Sequence, residues 1–216
     1  MVHIIGERNS VFNVFVSELR NVGIQNDSMR FRRNLERIGE ITAYEISKKL
    51  EYGTQRIETP LGISEMNLPT DEIVLGTIFR AGLPLHQGML NYFDRAQNAF
   101  VSAFRKHHKD DTFEIQIEYL SSPPLTDKVL ILCDPMLATG RSMVLAFQAL
   151  SERMGKPKHT HIVAAVGSEE GVEYTRRHMP ENATLWIGAV DPELNAKSYI
   201  IPGLGDAGDL AFGPKL

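Results

Sequence analysis

The chain is poor in the residues that would tie a fold together covalently or anchor it to another phase. It has one cysteine, Cys133, in 216 residues. That rules out an internal disulfide, and its place inside an apolar run reads as a small buried hydrophobe, not a nucleophile. No stretch approaches the ~20 consecutive apolar residues of a membrane span. The N-terminal M-V-H-I-I-G-E-R-N-S brings in Glu7 and Arg8 before any apolar core of a leader could form. A cytoplasmic protein with no membrane partner is the expectation. Basic charge is also lacking: 23 Lys and Arg stand against 27 Asp and Glu, a net charge of −4 with pI near 6.0. With no global positive field, a nucleic-acid partner is not expected, and an anionic ligand would have to be met by local groups. Metal spacing is missing too. His159 and His161 alternate along a strand, His107 and His108 share a polar tip, and no H-E-x-x-H or partner cysteine accompanies them, so no metal-ligating residues are assigned.

What is present suits an ordinary globular chain, 43% hydrophobic and 23% charged, and 216 residues can bury a proper core. Phe12, Phe15, Val16 and Leu19 follow helical spacing. Phe31, Leu35, Ile38, Thr42 and Ile46 form a second stripe behind the cap region Asn26-Asp27-Ser28, so residues 1–50 read as mainly helical. Two strand-like pieces flank Thr59-Pro60-Leu61-Gly62. Short apolar runs then follow at Ile73–Phe79, Ala99–Arg105, Val129–Cys133, His161–Val166 and Thr184–Ala189, mostly separated by helical patterns at Leu83–Phe93, Ser142–Met154 and Ser168–Met179. This alternation predicts an α/β fold with a mainly parallel sheet. Residues 106–112 read as the mobile tip of a projecting hairpin. The last eighteen residues, Y-I-I-P-G-L-G-D-A-G-D-L-A-F-G-P-K-L, look too rich in glycine and proline for helix or strand.

Ligands of open α/β sheets lie beyond the carboxyl ends of strands. Val129–Cys133 ends there in Asp134, followed by Pro135, Met136, Leu137, Ala138, Thr139, Gly140, Arg141 and Ser142 at a helix start. Unpaired N–H groups and the helix dipole favour phosphate at such a start, with hydroxyl donors from Thr139 and Ser142. Asp134 is no phosphate ligand, but suits sugar hydroxyls or a metal-bound water, so a sugar phosphate satisfies both halves. Arg80, after Ile73–Phe79, is placed like an anion clamp, with Ala81-Gly82 allowing an unusual turn. A Walker loop is excluded, because Pro135 stands where its first glycine belongs and Arg141 replaces its lysine. G-L-G-D-A-G, residues 203–208, matches G-x-G-x-x-G only literally. It follows Pro202 and leaves no room for a dinucleotide-binding unit.

Taken together, D-P-M-L-A-T-G-R-S (134–142), F-R-A-G-L (79–83) and Y-I-I-P-G-L-G-D-A-G-D (199–209) closely resemble the uracil phosphoribosyltransferase family, with weaker echoes in R-F-R (30–32) and A-Y-E (43–45). The resemblance implies a type I phosphoribosyltransferase fold over 1–216 as a single domain: a twisted, mainly parallel sheet flanked by helices, a projecting β-hairpin, and a base-binding hood at 199–216. It implies transfer of the 5-phosphoribosyl group of phosphoribosyl pyrophosphate (PRPP) to N1 of uracil, giving UMP and pyrophosphate, with Mg2+ carried on the donor. It leaves open GTP as an allosteric activator, and favours a homodimer or larger homo-oligomer. By the family's pattern Asp134 would hold ribose hydroxyls, residues 135–142 would cradle the 5-phosphate, and Arg80 and Arg105 would meet pyrophosphate. Ile200, Gly205, Asp206 and Ala207 would read uracil largely through backbone groups, with Asp206 also near the donor; Asp134, Arg105 and Asp206 would be catalytic. The chain departs from the pattern at Arg141, where a second glycine is common, and at Pro84-Leu85 in place of Gly-Met. Two other readings use the same scaffold: an RNA-binding pyrimidine regulator and a non-catalytic nucleotide sensor.

Overall fold

The computed structural model describes residues 1–107 and 113–214, with the side chains of 103–116 outside that description. Strand β1 (Val2–Ile4) and a 3-10 turn (Ile5–Glu7) lead into α1 (Phe12–Arg20) and α2 (Ser28–Ser47). Helix α2 starts where the sequence places a cap, the Asp27 carboxylate accepting the Arg30 N–H at 3.0 Å. A separate antiparallel hairpin, β2 (Tyr52–Thr59) and β3 (Gly62–Pro69), follows with its turn at Pro60-Leu61. Then come β4 (Ile73–Phe79), α3 (Leu83–Leu90), β5 (Gln97–His107), β6 (Phe113–Ser121), β7 (Val129–Cys133), β8 (Met136–Leu137), α4 (Arg141–Met154), β9 (His159–Ser168), α5 (Glu169–His178) and β10 (Ala183–Asp191). The chain closes with β11 (Glu193–Leu194), β12 (Ile200–Ile201) and α6 (Ala207–Phe212).

The main sheet runs β1-β10-β9-β7-β4-β5-β6, with β8 added to β9. Its neighbours pair parallel except β5 and β6, which form the antiparallel hairpin. Five of five residues in β7 are buried, because helices cover both faces. Val129, Ile131 and Cys133 pack with α1, α2 and α3 through Phe12, Leu19, Leu35, Ile38 and Leu85. Leu130 and Leu132 pack with Met143, Phe147 and Leu150 of α4. Alternation of side chains along an extended chain sends successive residues into two separate cores, so a strand covered twice must be apolar throughout. Burial pushes the Cys133 thiol up to about 12, which leaves it inert as a nucleophile.

The C-terminus departs from expectation. Residues 200–201 pair as a strand with Glu193 and Leu194, and 207–212 form a short helix despite the glycines. Asp206 caps that helix by accepting the Gly208 and Asp209 N–H groups at 2.8 and 3.0 Å, and Ala211 closes it against the core. A cap and a buried small face outweigh composition here. The expected mobile tip at 106–112 falls mostly on residues 108–112, outside the described ones.

Removing the α2 cap with Asp27→Ala should lower unfolding stability by about 1 kcal/mol, measured by denaturant titration, with no change of fold by circular dichroism.

Candidate active site

The carboxyl ends of β7, β8 and β4 converge with the C-terminal turn on one cavity of about 340 Å3. Asp134, Met136 and Ala138 line one wall; Ile200, Gly205, Asp206 and Ala207 line another. Residues more than 60 positions apart in sequence are thus brought face to face by β7 and β12 lying at the same end of the sheet. Ala81 and Gly208 complete the wall near Arg80, and Lys197, Ser198 and Tyr199 form the rim.

The segment from Asp134 to Ser142 is held from behind. The Asp134 N–H donates to Val163 O at 3.1 Å, and Pro135 O accepts from the Ala165 and Val166 N–H groups at 3.1 and 3.0 Å. Leu137 points into the core beneath α4, and the Ser168 hydroxyl donates to Ala138 O at 2.5 Å. Thr139, Gly140, Arg141 and Ser142 lead away from the cavity wall into α4. Gly140 has φ 72°, and a Cβ there would overlap Thr175 Oγ1 and lie 2.7 Å from Gly171 O, so only glycine brings α4 this close to α5. Helix α4 has no side-chain cap, so no side chain of its cap residue meets its first N–H groups. Arg141, where the chain departs from the family's glycine, has its guanidinium 6.0 Å from the centre of the Tyr174 ring.

Arg80 stands beside the cavity and not in its wall. Its Nη2 donates to Asp209 Oδ1 and to Gly213 O, both at 2.8 Å, while its buried Nε has no hydrogen-bond partner. Gly82 has an ordinary φ of −70°, so the unusual turn expected at Ala81-Gly82 is not a left-handed one. Arg105 lies in β5, and its side chain is outside the described ones.

Loss of water around Asp134 is the main cause that pushes its carboxyl up to about 7; the Met136 backbone amide pulls the other way, and the Asp206 charge adds to the rise. A half-buried acid at that value is poised to gain from a partner that donates hydrogen bonds to its charged form. Sequence reasoning missed the rim at Lys197 and Ser198. Its signal was Asn195, whose side chain accepts the Lys197 and Tyr199 N–H groups at 2.9 and 3.0 Å, folding a tight turn in which Ser198 takes φ 61°.

Similarity to known proteins places the chain in a family. The family model described as uracil phosphoribosyltransferase matches residues 8–214. The chain belongs to the uracil phosphoribosyltransferase family. A member from Porphyromonas gingivalis is 57% identical over 212 residues, covering 98% of each chain, and one from Pyrococcus furiosus is 36% identical over 201 residues, covering 92% of this chain and 84% of the relative. Among solved structures, the AQ2163 protein of Aquifex aeolicus superposes with a TM-score of 0.87 at 28% identity over the whole of both chains. A hypoxanthine phosphoribosyltransferase from Staphylococcus aureus superposes with 0.51 at 14% identity, over 86% of this chain and 83% of its own, which speaks to the fold alone. The fold class expected from the resemblance, that of type I phosphoribosyltransferases, stands.

Because Asp134 is held above its ordinary 3.8, the fold favours its protonated form, and the cost of ionising it grows as pH climbs from about 4 to about 7. Asp134→Asn, which carries no charge, should therefore raise the melting temperature of the ligand-free protein above about pH 7, with the gain shrinking toward about pH 4. Thermal unfolding of both proteins across that range checks it; a gain independent of pH would contradict it.

Proposed function

We propose that this cavity is where the chain transfers the 5-phosphoribosyl group of PRPP to N1 of uracil, releasing UMP and pyrophosphate. The observation that carries the reading is the single cavity in which Asp134 and the Ile200–Ala207 turn face each other. In this arrangement Asp134 accepts hydrogen bonds from the ribose hydroxyls, which its charged form does best. Backbone N–H groups and hydroxyls from Met136 to Ser142 receive the 5-phosphate at the uncapped start of α4. Gly203 and Gly205, with φ 56° and 93°, turn the backbone so that its own N–H and C=O groups, near Ile200, Gly205 and Ala207, meet the edge of uracil.

As the bond from the anomeric carbon to pyrophosphate breaks, negative charge gathers on the leaving group and positive charge on the sugar. N1 of uracil forms the new bond to the anomeric carbon and releases its proton to solvent. Arg80, with its Nε still unpartnered, and Arg105 supply fixed positive charge to the leaving oxygens. Asp134 and Asp206, close enough for the Asp206 charge to help raise Asp134, form a donor set that fits a hard divalent cation. When bound there, Mg2+ would supply positive charge that offsets the charge of pyrophosphate.

The reading also takes 1–216 as one phosphoribosyltransferase domain and the protein as cytoplasmic, and leaves GTP activation open. Among the described residues, no helix is long and apolar enough to cross a membrane. Assembly as a homodimer or larger homo-oligomer is supported by the β2–β3 hairpin, which forms a two-stranded sheet of its own and exposes Leu61, Ile63 and Met66. An isolated hairpin with an apolar surface is stable chiefly when something covers it.

Incubating the protein with uracil, PRPP and Mg2+ should yield UMP, with cytosine, hypoxanthine and orotate in parallel yielding little; no UMP would sink the reading. Arg141→Gly should raise the donor's KM by up to about fivefold, the effect of one exposed charge contact, and leave that of uracil unchanged. Equal donor KM values in the two proteins would exclude a phosphate contact by Arg141.

A further inference from the structure

Asp191 ends β10 outside the cavity wall, and it is 6% exposed. Burying a carboxylate is expensive unless its oxygens are fully met. Here both are: Arg20 of α1 grips it through Nη1 at 2.7 Å and Nη2 at 2.9 Å, and the Gly203 N–H donates to Oδ2 at 2.9 Å. Arg20 Nη1 also donates to Gly203 O at 3.2 Å. The pair therefore holds both polar backbone groups of Gly203, the residue whose φ of 56° starts the turn into Gly205 and Asp206. Two neighbours reinforce it from the same side. Gln25 Nε2 bridges Leu19 O at 2.7 Å and Leu204 O at 3.1 Å, and Arg32 Nη1 donates to Ala211 O at 2.6 Å. Helix α1 and the loop after it thus support the back of the turn whose front faces the cavity, and α2 supports the short helix that follows it.

We propose that Arg20 and Asp191 are positioning residues for uracil: through Gly203 they set where the Leu204–Ala207 backbone stands, and so set the affinity and selectivity for the base without touching it. The proposal rests on reading the Ile200–Ala207 wall as the uracil site. A loop could be pinned by apolar packing at similar stability. What a bidentate guanidinium–carboxylate pair adds is direction, because the fork and the carboxylate fix each other's plane. A site that reads its ligand with backbone groups has no side-chain rotamer to readjust. A small displacement of Gly203 then leaves an N–H or C=O in the cavity misaligned with the base.

The test measures KM for uracil and for PRPP separately, and the ratio of kcat/KM for uracil over cytosine, in the parent, Asp191→Asn and Arg20→Lys. Asp191→Asn keeps the shape but sets an amide against Arg20; it should raise uracil's KM by about tenfold or more and lower the uracil preference, with the donor's KM within about twofold. Arg20→Lys keeps the charge and loses the fork, and should fall between that variant and the parent. The double variant should cost no more than the worse single one, because the two residues act through one contact. If Asp191→Asn does not fold, Arg20→Lys, with its arginine 22% exposed and replaced by a flexible cation, decides alone. Unchanged uracil KM, or parallel rises for both substrates, or a fall in kcat with neither KM moved, would overturn the proposal. Ala207→Val in the cavity wall separates the two levels. If it leaves uracil's KM unchanged, the uracil site itself is misassigned; if it raises that KM while the pair variants do not, only the positioning role fails.

Discussion

Covering both faces of β7 with helices is the constraint from which the site follows. Every residue from Val129 to Cys133 is buried, so the strand has no polar face on which chemistry could sit. The first position able to carry a charge is the one where the strand leaves the sheet, and Asp134 occupies it. Even there the acid has lost enough water to be pushed up to about 7. The same geometry applies to β4, which delivers Arg80 to the same edge, and to β9, whose last residue, Ser168, caps α5 and holds Ala138 from behind. A parallel sheet closed on two sides concentrates its polar groups at one rim.

At that rim the C-terminal turn acts as the opposite wall. Asp206 has two duties: it caps α6 through the Gly208 and Asp209 N–H groups, and its charge bears on Asp134 across the cavity. The cap fixes the carboxylate's direction, and the short helix in turn presents Asp209 to Arg80. Through Arg80, the loop after β4 and the last helix are joined by charge-assisted hydrogen bonds. The C-terminal segment is therefore held at the turn by Arg20 and Gln25, through Gly203 and Leu204, and at its last helix by Arg80 and Arg32, through Asp209, Gly213 and Ala211.

Much of this was legible in the chain. The continuous apolar runs of β4, β7 and β9 announced a sheet buried twice, the stripes of α1 and α2 announced amphipathic helices, and D-P-M-L-A-T-G-R-S marked a strand end entering a helix. The C-terminal helix was not legible, because glycine and proline content describes intrinsic preference and says nothing of a cap or of Ala211 closing on the core. Nor could spacing show that Arg80 hydrogen-bonds to Asp209 and Gly213, or that the guanidinium of Arg141 rests over Tyr174. Lys197 and Ser198 on the rim escaped because their signal, one asparagine before a turn, is common to many loops.

By itself, then, the sequence determined the class of fold, the elements on which Asp134 and Arg80 sit, and the family, since these depend on local periodicity and on motifs contiguous in the chain. Only the tertiary structure decided which groups meet. Arg20 and Asp191 are 171 positions apart and carry no shared motif. Their contact exists because α1 packs against the same face of the sheet on which the C-terminal turn closes, and long-range packing of that kind leaves no periodic trace in the chain.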